Sequence, residues 1–315
     1  MTGSRIIGLG HYQPSRVLTN DELAQLVDTN DAWIRDRVGI VTRRIAAGEE
    51  TVADMASAAA EKALAGSGLT PADIDLVVVA TCSSVDRSPN VATRVANRLG
   101  IKAPAAYDIN TACSGFCYGL ATADHAVRAG AARNAIVIGS EKLSDVTDWT
   151  DRSTCILFGD AAGAAVVTPV ADDEPAGIGP VVWGSDPERG DTVRIEGWRP
   201  YIAQEGQAVF RWATTALAPI ALQACERAGV DPADIAAFVG HQANARIIDG
   251  IAKRLKLPNA IIARDIVESG NTSAASIPLA LSKLVERREV ASGAPVLLFG
   301  FGGGLTYAGQ VVRCP

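Results

Sequence analysis

The sequence predicts an α/β fold made of two pseudo-equivalent halves, with helices packed on sheets, and three observations carry that prediction. A chain of 315 residues, 48% hydrophobic and 20% charged, has the material for a large core and cannot be a disordered chain or a disulfide-stapled miniprotein. Thirty glycines and only 5% aromatics suit small side chains packed tightly between helices and sheets with many turns. The chain also repeats itself. Pro71-Ala72-Asp73-Ile74 returns as Pro232-Ala233-Asp234-Ile235, an offset of 161 that also carries Gly68 to Gly229, Asn110-Thr111 to Asn271-Thr272, Leu120 to Leu281 and Gly139 to Gly300. A chance match of one common turn does not hold a single offset over such a distance.

The elements follow in order. Arg5 to Leu9 reads as a strand that opens the first half. Val52, Met55, Ala56, Ala59, Ala60, Ala63 and Leu64 keep the i, i+3, i+4, i+7 spacing of a buried helical stripe. The same offset gives Ala213, Ala216, Leu217, Ile220, Ala221, Ala224 and Cys225, again all small or apolar. Each Pro-Ala-Asp turn precedes an apolar strand, Leu76 to Ala80 and Ala237 to His241. A strand ending near Asn110 gives way to a helix of about 17 residues that closes near Ala129. Ile136-Val137-Ile138 and Leu297-Leu298-Phe299 are strands closed by Gly139 and Gly300. Between the copies, Ala171 to Gln204 is polar and rich in Gly and Pro, up to Pro200, which marks connection and surface loops. Within it Ile178 to Trp183 is expected to open the second copy, so the halves are taken as residues 1–170 and 171–315.

A net charge of −6 argues against nonspecific nucleic-acid binding. No basic segment leads into an apolar stretch at the N-terminus, and no apolar run approaches the roughly 18 residues that span a bilayer, so a cytoplasmic, non-membrane protein is expected. The six cysteines show neither framework spacing nor a Cys-x-x-Cys pair, which weakens disulfide and zinc readings together.

In α/β sheets, ligands gather beyond the carboxyl ends of strands. Three such junctions carry chemistry. In Asn110-Thr111-Ala112-Cys113-Ser114-Gly115-Phe116 a thiol stands where a strand becomes a helix, and the positive helix end favours a thiolate nucleophile. A buried small hydrophobe is the plain alternative for Cys113, and it describes Cys117 one turn later. The repeat counterpart of Cys113 is Ala274, so one copy alone carries the thiol. The second junction, Gly240-His241-Gln242-Ala243-Asn244, holds the one histidine of three at a strand's carboxyl end. The third, Gly270-Asn271-Thr272-Ser273, is the counterpart of the cysteine turn; by pseudo-symmetry it faces that turn and brings Asn271 near Cys113, although a helix cap explains an Asn there equally well. The Gly302-Gly303-Gly304 run suits either close packing or an N–H aimed at an oxyanion.

At these residues the sequence resembles β-ketoacyl-acyl-carrier-protein synthase III over essentially its whole length. The matching motifs are Asp31-Ala32-Trp33-Ile34 with Arg37 and Gly39, Thr111 to Phe116, Asp151-Arg152 with Phe158 to Ala164, His241-Gln242-Ala243-Asn244, Gly270 to Ser273, and the Gly302 to Gly304 turn. The resemblance implies a thiolase-like, five-layered αβαβα fold and a two-stage reaction. Cys113 accepts the acyl group of an acyl-CoA; malonyl-acyl-carrier protein then loses CO2, and its carbanion attacks the acyl-enzyme. His241 and Asn271 stabilise the enolate, and the N–H groups of Cys113 and Gly303 hold the oxyanion. Whether His241 also takes the thiol proton is left open.

The same resemblance assigns Trp33, Arg37, Arg152 and Asn244 to CoA, which is a substrate, and implies no cofactor, no metal and a homodimer. Arg246, Lys253, Arg254 and Lys256, with Asp249 the only acid among them, form a basic stretch suited to an acidic carrier protein. Ser88, just before Pro89, replaces an aromatic gate found in some relatives and is expected to admit branched or longer primers. Gln207 departs from a relative's Asn on the pantetheine arm. A degradative thiolase would need a second cysteine near Gly302 to Gly304, and none is there. A starter-selecting enzyme of polyketide assembly, an acyltransferase of secondary metabolism and a noncatalytic partner subunit are the alternatives; the intact Cys113, His241 and Asn271 favour an enzyme.

Overall fold

The computed structural model describes residues 3–197 and 201–315; Pro200, counted above in the connecting loops, lies outside them. In the first half the chain runs β1 (Ser4–Tyr12), then an excursion of β2 (Arg16–Thr19), α1 (Asn20–Leu23), α2 (Asp31–Val38) and β3 (Thr42–Ile45). It continues through α3 (Val52–Ser67), β4 (Leu76–Ala80), α4 (Val91–Leu99), β5 (Ala105–Ile109), α5 (Gly115–Arg128), β6 (Ala135–Glu141) and β7 (Ala161–Pro169). The second half runs β8 (Val182–Ser185), the ribbon β9 (Val193–Ile195) and β10 (Ile202–Gln204), α6 (Gly206–Ala228), β11 (Ala237–Gly240) and α7 (Ala245–Leu255). After these come β12 (Ile261–Ile262), α8 (Ile266–Ser269), α9 (Ser276–Glu286), β13 (Pro295–Gly302) and β14 (Thr306–Arg313).

The two five-stranded sheets have one topology. Their orders are β1-β7-β6-β4-β5 and β8-β14-β13-β11-β12. In both, the three strands at the β5 or β12 end are parallel and the other two pairings are antiparallel. The predicted repeat is therefore a repeat of structure. Gly68 and Gly229 end α3 and α6 with φ of 75° and 64°, a left-handed cap that a side chain would strain.

Burial separates the layers. Val78, Val137 and Val167 of the first sheet and Val239, Leu298 and Val312 of the second enclose Phe116 and Leu120 of α5 and Ile277 and Leu281 of α9 in one core. The alanine-rich stripe of α3 packs with α4 on the outer face of the first sheet, and α6 with α7 on the outer face of the second. The order is thus helix, sheet, helix, sheet, helix. The small residues earn their place in the middle layer: a Cβ on Gly139 of β6 would stand 2.2 Å from the Ala274 carbonyl oxygen. Sheet and facing turn touch backbone to backbone.

The second half opens later than Ile178. Pro180 has no N–H to give a ladder, so β8 forms from Val182, and Ile178 keeps only an isolated bridge to Val312. α6 also begins a full turn and more before the predicted Ala213, and that extra stretch carries Gln207, Phe210 and Arg211 to the cavity described below. Among the described residues, no helix is long and apolar enough to cross a membrane.

Candidate active site

Strand ends of both halves meet around a cavity of about 1210 Å³. Cys113, His241 and Asn271 all line it, as do Gly303, Trp33, Arg37, Arg152, Asn244 and Arg246. The three predicted junctions converge.

Cys113 lies in a 3-10 turn, Ala112–Ser114, that feeds α5. Beside its thiol stand the N–H groups of Cys113 and Gly303 and the hydroxyl of Ser273, each of which favours the charged sulfur. Burial nevertheless dominates and pushes the thiol up to about 11, with the Ser273 hydroxyl the strongest opposing influence. The expectation that the helix end alone would favour thiolate is corrected: desolvation outweighs it. Gly302 leaves the sulfur its room, since a Cβ there would stand 2.7 Å from the Cys113 Cβ and 2.9 Å from Sγ.

His241 follows β11 and is 2% exposed, with its ring edge-on to Phe301 at 5.3 Å. Burial lowers it to about 3, so the imidazole is neutral. Nδ1 lies 2.8 Å from Ser276 Oγ at the start of α9. That oxygen also accepts the Gln242 N–H at 3.4 Å; among the described residues Nδ1 is the one acceptor that its hydroxyl meets, which assigns the hydroxyl as donor to Nδ1 and the ring proton to Nε2. Gln242 holds the loop by bonds to the Gly240 and Ala263 carbonyls and from the Ile266 N–H.

Asn271 is fixed by its backbone, whose N–H donates to the Leu157 carbonyl at 2.8 Å and whose carbonyl accepts from Gly159 at 3.1 Å. Its Oδ1 accepts the Ser273 N–H at 2.9 Å. The side chain is left with its Nδ2 donor to offer the cavity, so His241 and Asn271 both present donors and neither presents a base.

At the mouth, Arg152 stands over the Trp33 ring, 5.0 Å from its centroid, and donates to the Asp28 carbonyl at 2.9 Å. Asn244 caps α7 and its Nδ2 reaches the Arg37 carbonyl at 3.4 Å. Arg246, Lys253, Arg254 and Lys256 are exposed on or just after α7, and Asp249 is turned to Arg264 at 2.6 Å. Lys253, Arg254 and Lys256 lie outside the cavity, whereas Arg246 joins its rim.

Ser88 is the exception. It is exposed on the surface loop between Ala80 and α4 and does not line the cavity of its own chain, because that loop leaves the sheet outward. Sequence reasoning also passed over Ser276, which reads as a helix-start serine, and Glu141, a buried carboxylate closing β6 behind an apolar run. By the 161-residue offset the counterpart of Glu141 is Gly302. Among the described residues, no group of three or more His, Cys, Asp or Glu is placed to hold a metal ion.

A duplicated five-layer fold that brings one cavity-lining cysteine to donors from its other half is the design of a thiolase-type condensing enzyme, an acyltransferase. Residues 107–187 match the family model for 3-oxoacyl-[acyl-carrier-protein (ACP)] synthase III, and residues 225–314 that for its C-terminal part. The chain is 66% identical to β-ketoacyl-[acyl-carrier-protein] synthase III 4 of Streptomyces coelicolor, over 99% of each chain. Among solved structures it is similar to the priming β-ketosynthase from the R1128 polyketide biosynthetic pathway, with a TM-score of 0.97, 42% identity and coverage of 100% of this chain and 97% of that one. The 3-oxoacyl-(acyl carrier protein) synthase III of Pseudomonas aeruginosa PAO1 follows at a TM-score of 0.94 and 39% identity, over 99% and 98% of the two chains. The chain belongs to the β-ketoacyl-[acyl-carrier-protein] synthase III family.

Proposed function

We propose that the protein condenses an acyl-CoA primer with malonyl-acyl-carrier protein, releasing CO2 and CoA and giving the 3-oxoacyl-carrier protein that starts fatty-acid synthesis. The observation that carries this reading is the pairing of one thiol, flanked by two backbone N–H groups, with a histidine and an asparagine that offer donors only. In the first stage the sulfur of Cys113 attacks the thioester carbonyl, and the N–H groups of Cys113 and Gly303 take the oxyanion. In the second, decarboxylation puts charge on the malonyl thioester oxygen, where His241 Nε2–H and Asn271 Nδ2–H stabilise it without titrating. The carbanion then attacks the acyl-cysteine, and collapse of the tetrahedral adduct breaks its bond to sulfur and releases Cys113 as thiolate, which takes a proton from solvent.

Trp33, Arg37, Arg152 and Asn244 suit CoA, an adenine stacking on Trp33 and the arginines meeting phosphate. The exposed basic stretch from Arg246 to Lys256 suits an acidic carrier protein whose arm enters past Arg246. A homodimer is supported by β5, an open sheet edge whose Tyr107 and Ile109 are only part-buried, and by Val85, 74% exposed on the loop that precedes α4. In that dimer Ser88 can bear on the partner's cavity, which is where its small side chain would widen primer choice. The steps need no resident cofactor, and six free cysteines fit a reducing compartment such as the cytoplasm.

The likeness to a polyketide priming ketosynthase supports a second reading, in which the same chemistry selects a starter unit. Intact-mass analysis after incubation with acetyl-, isobutyryl-, isovaleryl- and hexanoyl-CoA, beside Cys113→Ala, tests the first stage. An adduct mapped to Cys113 and lost in the variant is expected. No adduct from any primer overturns the reading. Adding malonyl groups on fatty-acid and polyketide carrier proteins to the acylated enzyme then separates the two pathways.

A further inference from the structure

The turn that carries Cys113 and the turn that carries Gly303 lie against each other. A Cβ on Gly302 would stand 3.2 Å from the Cys113 nitrogen, and one on Gly303 would stand 3.4 Å from the Ala112 Cβ. Among the described residues, no backbone hydrogen bond crosses between the two turns. Two side chains tie them instead, for Ser114 Oγ and Thr306 Oγ1 are 2.8 Å apart. Ser114 Oγ also lies 2.8 Å from the Thr111 carbonyl, and Thr306 Oγ1 lies 2.9 Å from the Gly303 carbonyl and 3.0 Å from that of Thr111. Two hydroxyls have two hydrogens, and a pair of oxygens this close needs one of them in between. Either Ser114 donates to Thr306, which then donates to the Gly303 or the Thr111 carbonyl, or Thr306 donates to Ser114, which then donates to the Thr111 carbonyl. Under both assignments a hydrogen bond joins the two turns.

The fold itself does not require this pair of hydroxyls. Gly302 pairs with Thr306 in the second sheet as Glu141 pairs with Ala161 in the first, and Ser114, moved by 161 residues, falls on Ala275 of the counterpart turn Ser273–Ala275. Ala161 and Ala275 are fully buried and pack together with Leu279. Methyl groups thus fill both positions at the counterpart turn, and hydroxyls fill them at the turn that carries the thiol. Glu141, at the place of Gly302, accepts the Thr81 and Ser83 hydroxyls instead. The turn that Thr306 holds is soft, since Gly303 and Gly304 have no side chains and Gly304 sits at a φ of 110°. We infer that Thr306, together with Ser114, is a positioning residue that sets the separation of the Cys113 and Gly303 N–H groups and so shapes the oxyanion site, an inference that rests on the proposed acylation of Cys113. As the Cys113 sulfur bonds to the acyl carbon, the carbonyl electron pair moves onto its oxygen, toward the two N–H groups. When the pair returns, the bond to the CoA sulfur breaks, and that sulfur leaves with the proton the thiol has given up. Both donors must lie about 2.7–3.1 Å from the charged oxygen to stabilise it, so a turn free to drift weakens the step.

The test compares Thr306→Val, Thr306→Ser, Ser114→Ala and wild type in two reactions, each mapped to Cys113 by peptide mass. Acylation, from acyl-CoA and from p-nitrophenyl acetate, passes through the oxyanion; alkylation by iodoacetamide displaces iodide and does not. Thr306→Val and Ser114→Ala should acylate about 10- to 30-fold more slowly at saturating acyl-CoA, with an unchanged KM and a wild-type rate of alkylation. Thr306→Ser, which keeps the hydroxyl, should acylate like wild type. Should Thr306→Val fail to fold, Ser114→Ala, which gives this turn the alanine of its counterpart, decides alone. Wild-type acylation in Thr306→Val and Ser114→Ala, an equal loss in both reactions, or no rescue by serine would overturn the inference. If wild type takes no acyl group from acyl-CoA but is acylated at Cys113 by the ester, the functional reading fails and the ester rates decide the positioning role. If neither donor acylates Cys113, both fall.

Discussion

Ala112 and Ser273, 161 residues apart, hold the same backbone conformation, with φ of 46° and 45° in the left-handed region that residues with a Cβ rarely enter. Each leads a 3-10 turn into a buried helix, α5 or α9. The duplication has thus copied a strained elbow, at a cost of about 1–2 kcal/mol at each position. One elbow aims the thiol of Cys113, and the other brings Asn271 and Ser273 to the same cavity.

Relief and worsening of that strain should be separable. Ala112→Gly is expected to stay within about 1 kcal/mol of wild type, since lost strain offsets the extra freedom of the unfolded chain. Ala112→Val puts a β-branched residue in the left-handed region and should lose about 2–3 kcal/mol. Urea unfolding of the two variants checks both signs.

Gly302→Ala places a methyl group against the Cys113 side chain, at 2.7 Å from Cβ. The thiol has to move, and acylation should slow by about 100-fold. Acylation rates by mass spectrometry, with a melting curve to show that the fold persists, give the result.

Ser276→Ala removes the donor to His241 Nδ1 and lets the ring proton divide between its nitrogens. Decarboxylation of malonyl-carrier protein by acylated enzyme should fall by about 10-fold, while alkylation of Cys113 keeps its wild-type rate. Release of CO2 is the measurement, and equal loss in both assays would point to general damage at the site.

The neutrality of His241 has a stability signature. Its ordinary pKa of 6.5 is lowered to about 3 by burial, so the unfolded chain takes up a proton that the folded chain refuses. This contribution to stability is fully present above pH 6.5 and is lost as pH falls toward 3. Between pH 7 and 5 the loss is about 2 kcal/mol. His11, lowered to about 4 chiefly by burial, adds a loss of the same sign in both proteins, so urea unfolding at the two pH values should show a fall about 2 kcal/mol smaller in His241→Gln than in wild type.

Arg152 at 5.0 Å leaves no room for a third ring between itself and Trp33. An adenine that stacks on Trp33 must displace it from the Asp28 carbonyl. Arg152→Ala should therefore raise the KM for acyl-CoA by about 10-fold and leave acylation from a short thioester without a nucleotide unchanged.

The fold and the convergence of Cys113, His241 and Asn271 were legible because each rests on a local pattern that recurs: a strand end, small residues, then a helix, at one offset. What local pattern cannot carry is the surroundings. Desolvation of Cys113 depends on the second sheet closing over it, so the helix end alone misjudged the thiol. Glu141 follows an apolar run and precedes Lys142, which looks like a strand leaving for solvent; only the fold turns the two side chains apart. Ser88 was read by analogy of position, and a single chain leaves it outside its own cavity. The second half has its own ribbon, β9 and β10, between β8 and α6, but among the described residues no α-helix there answers to α2, which carries Trp33 and Arg37, so the repeat offered no guide to them.

Gly302 and Glu141 are one position in two copies of one strand, and they have gone opposite ways. A doubled unit begins with two equivalent floors beneath two equivalent elbows. One floor was emptied to its backbone, opening space for a reacting sulfur; its twin was filled with an acid walled in by hydroxyls. Symmetry here was raw material, and the single working site came from unequal use of it.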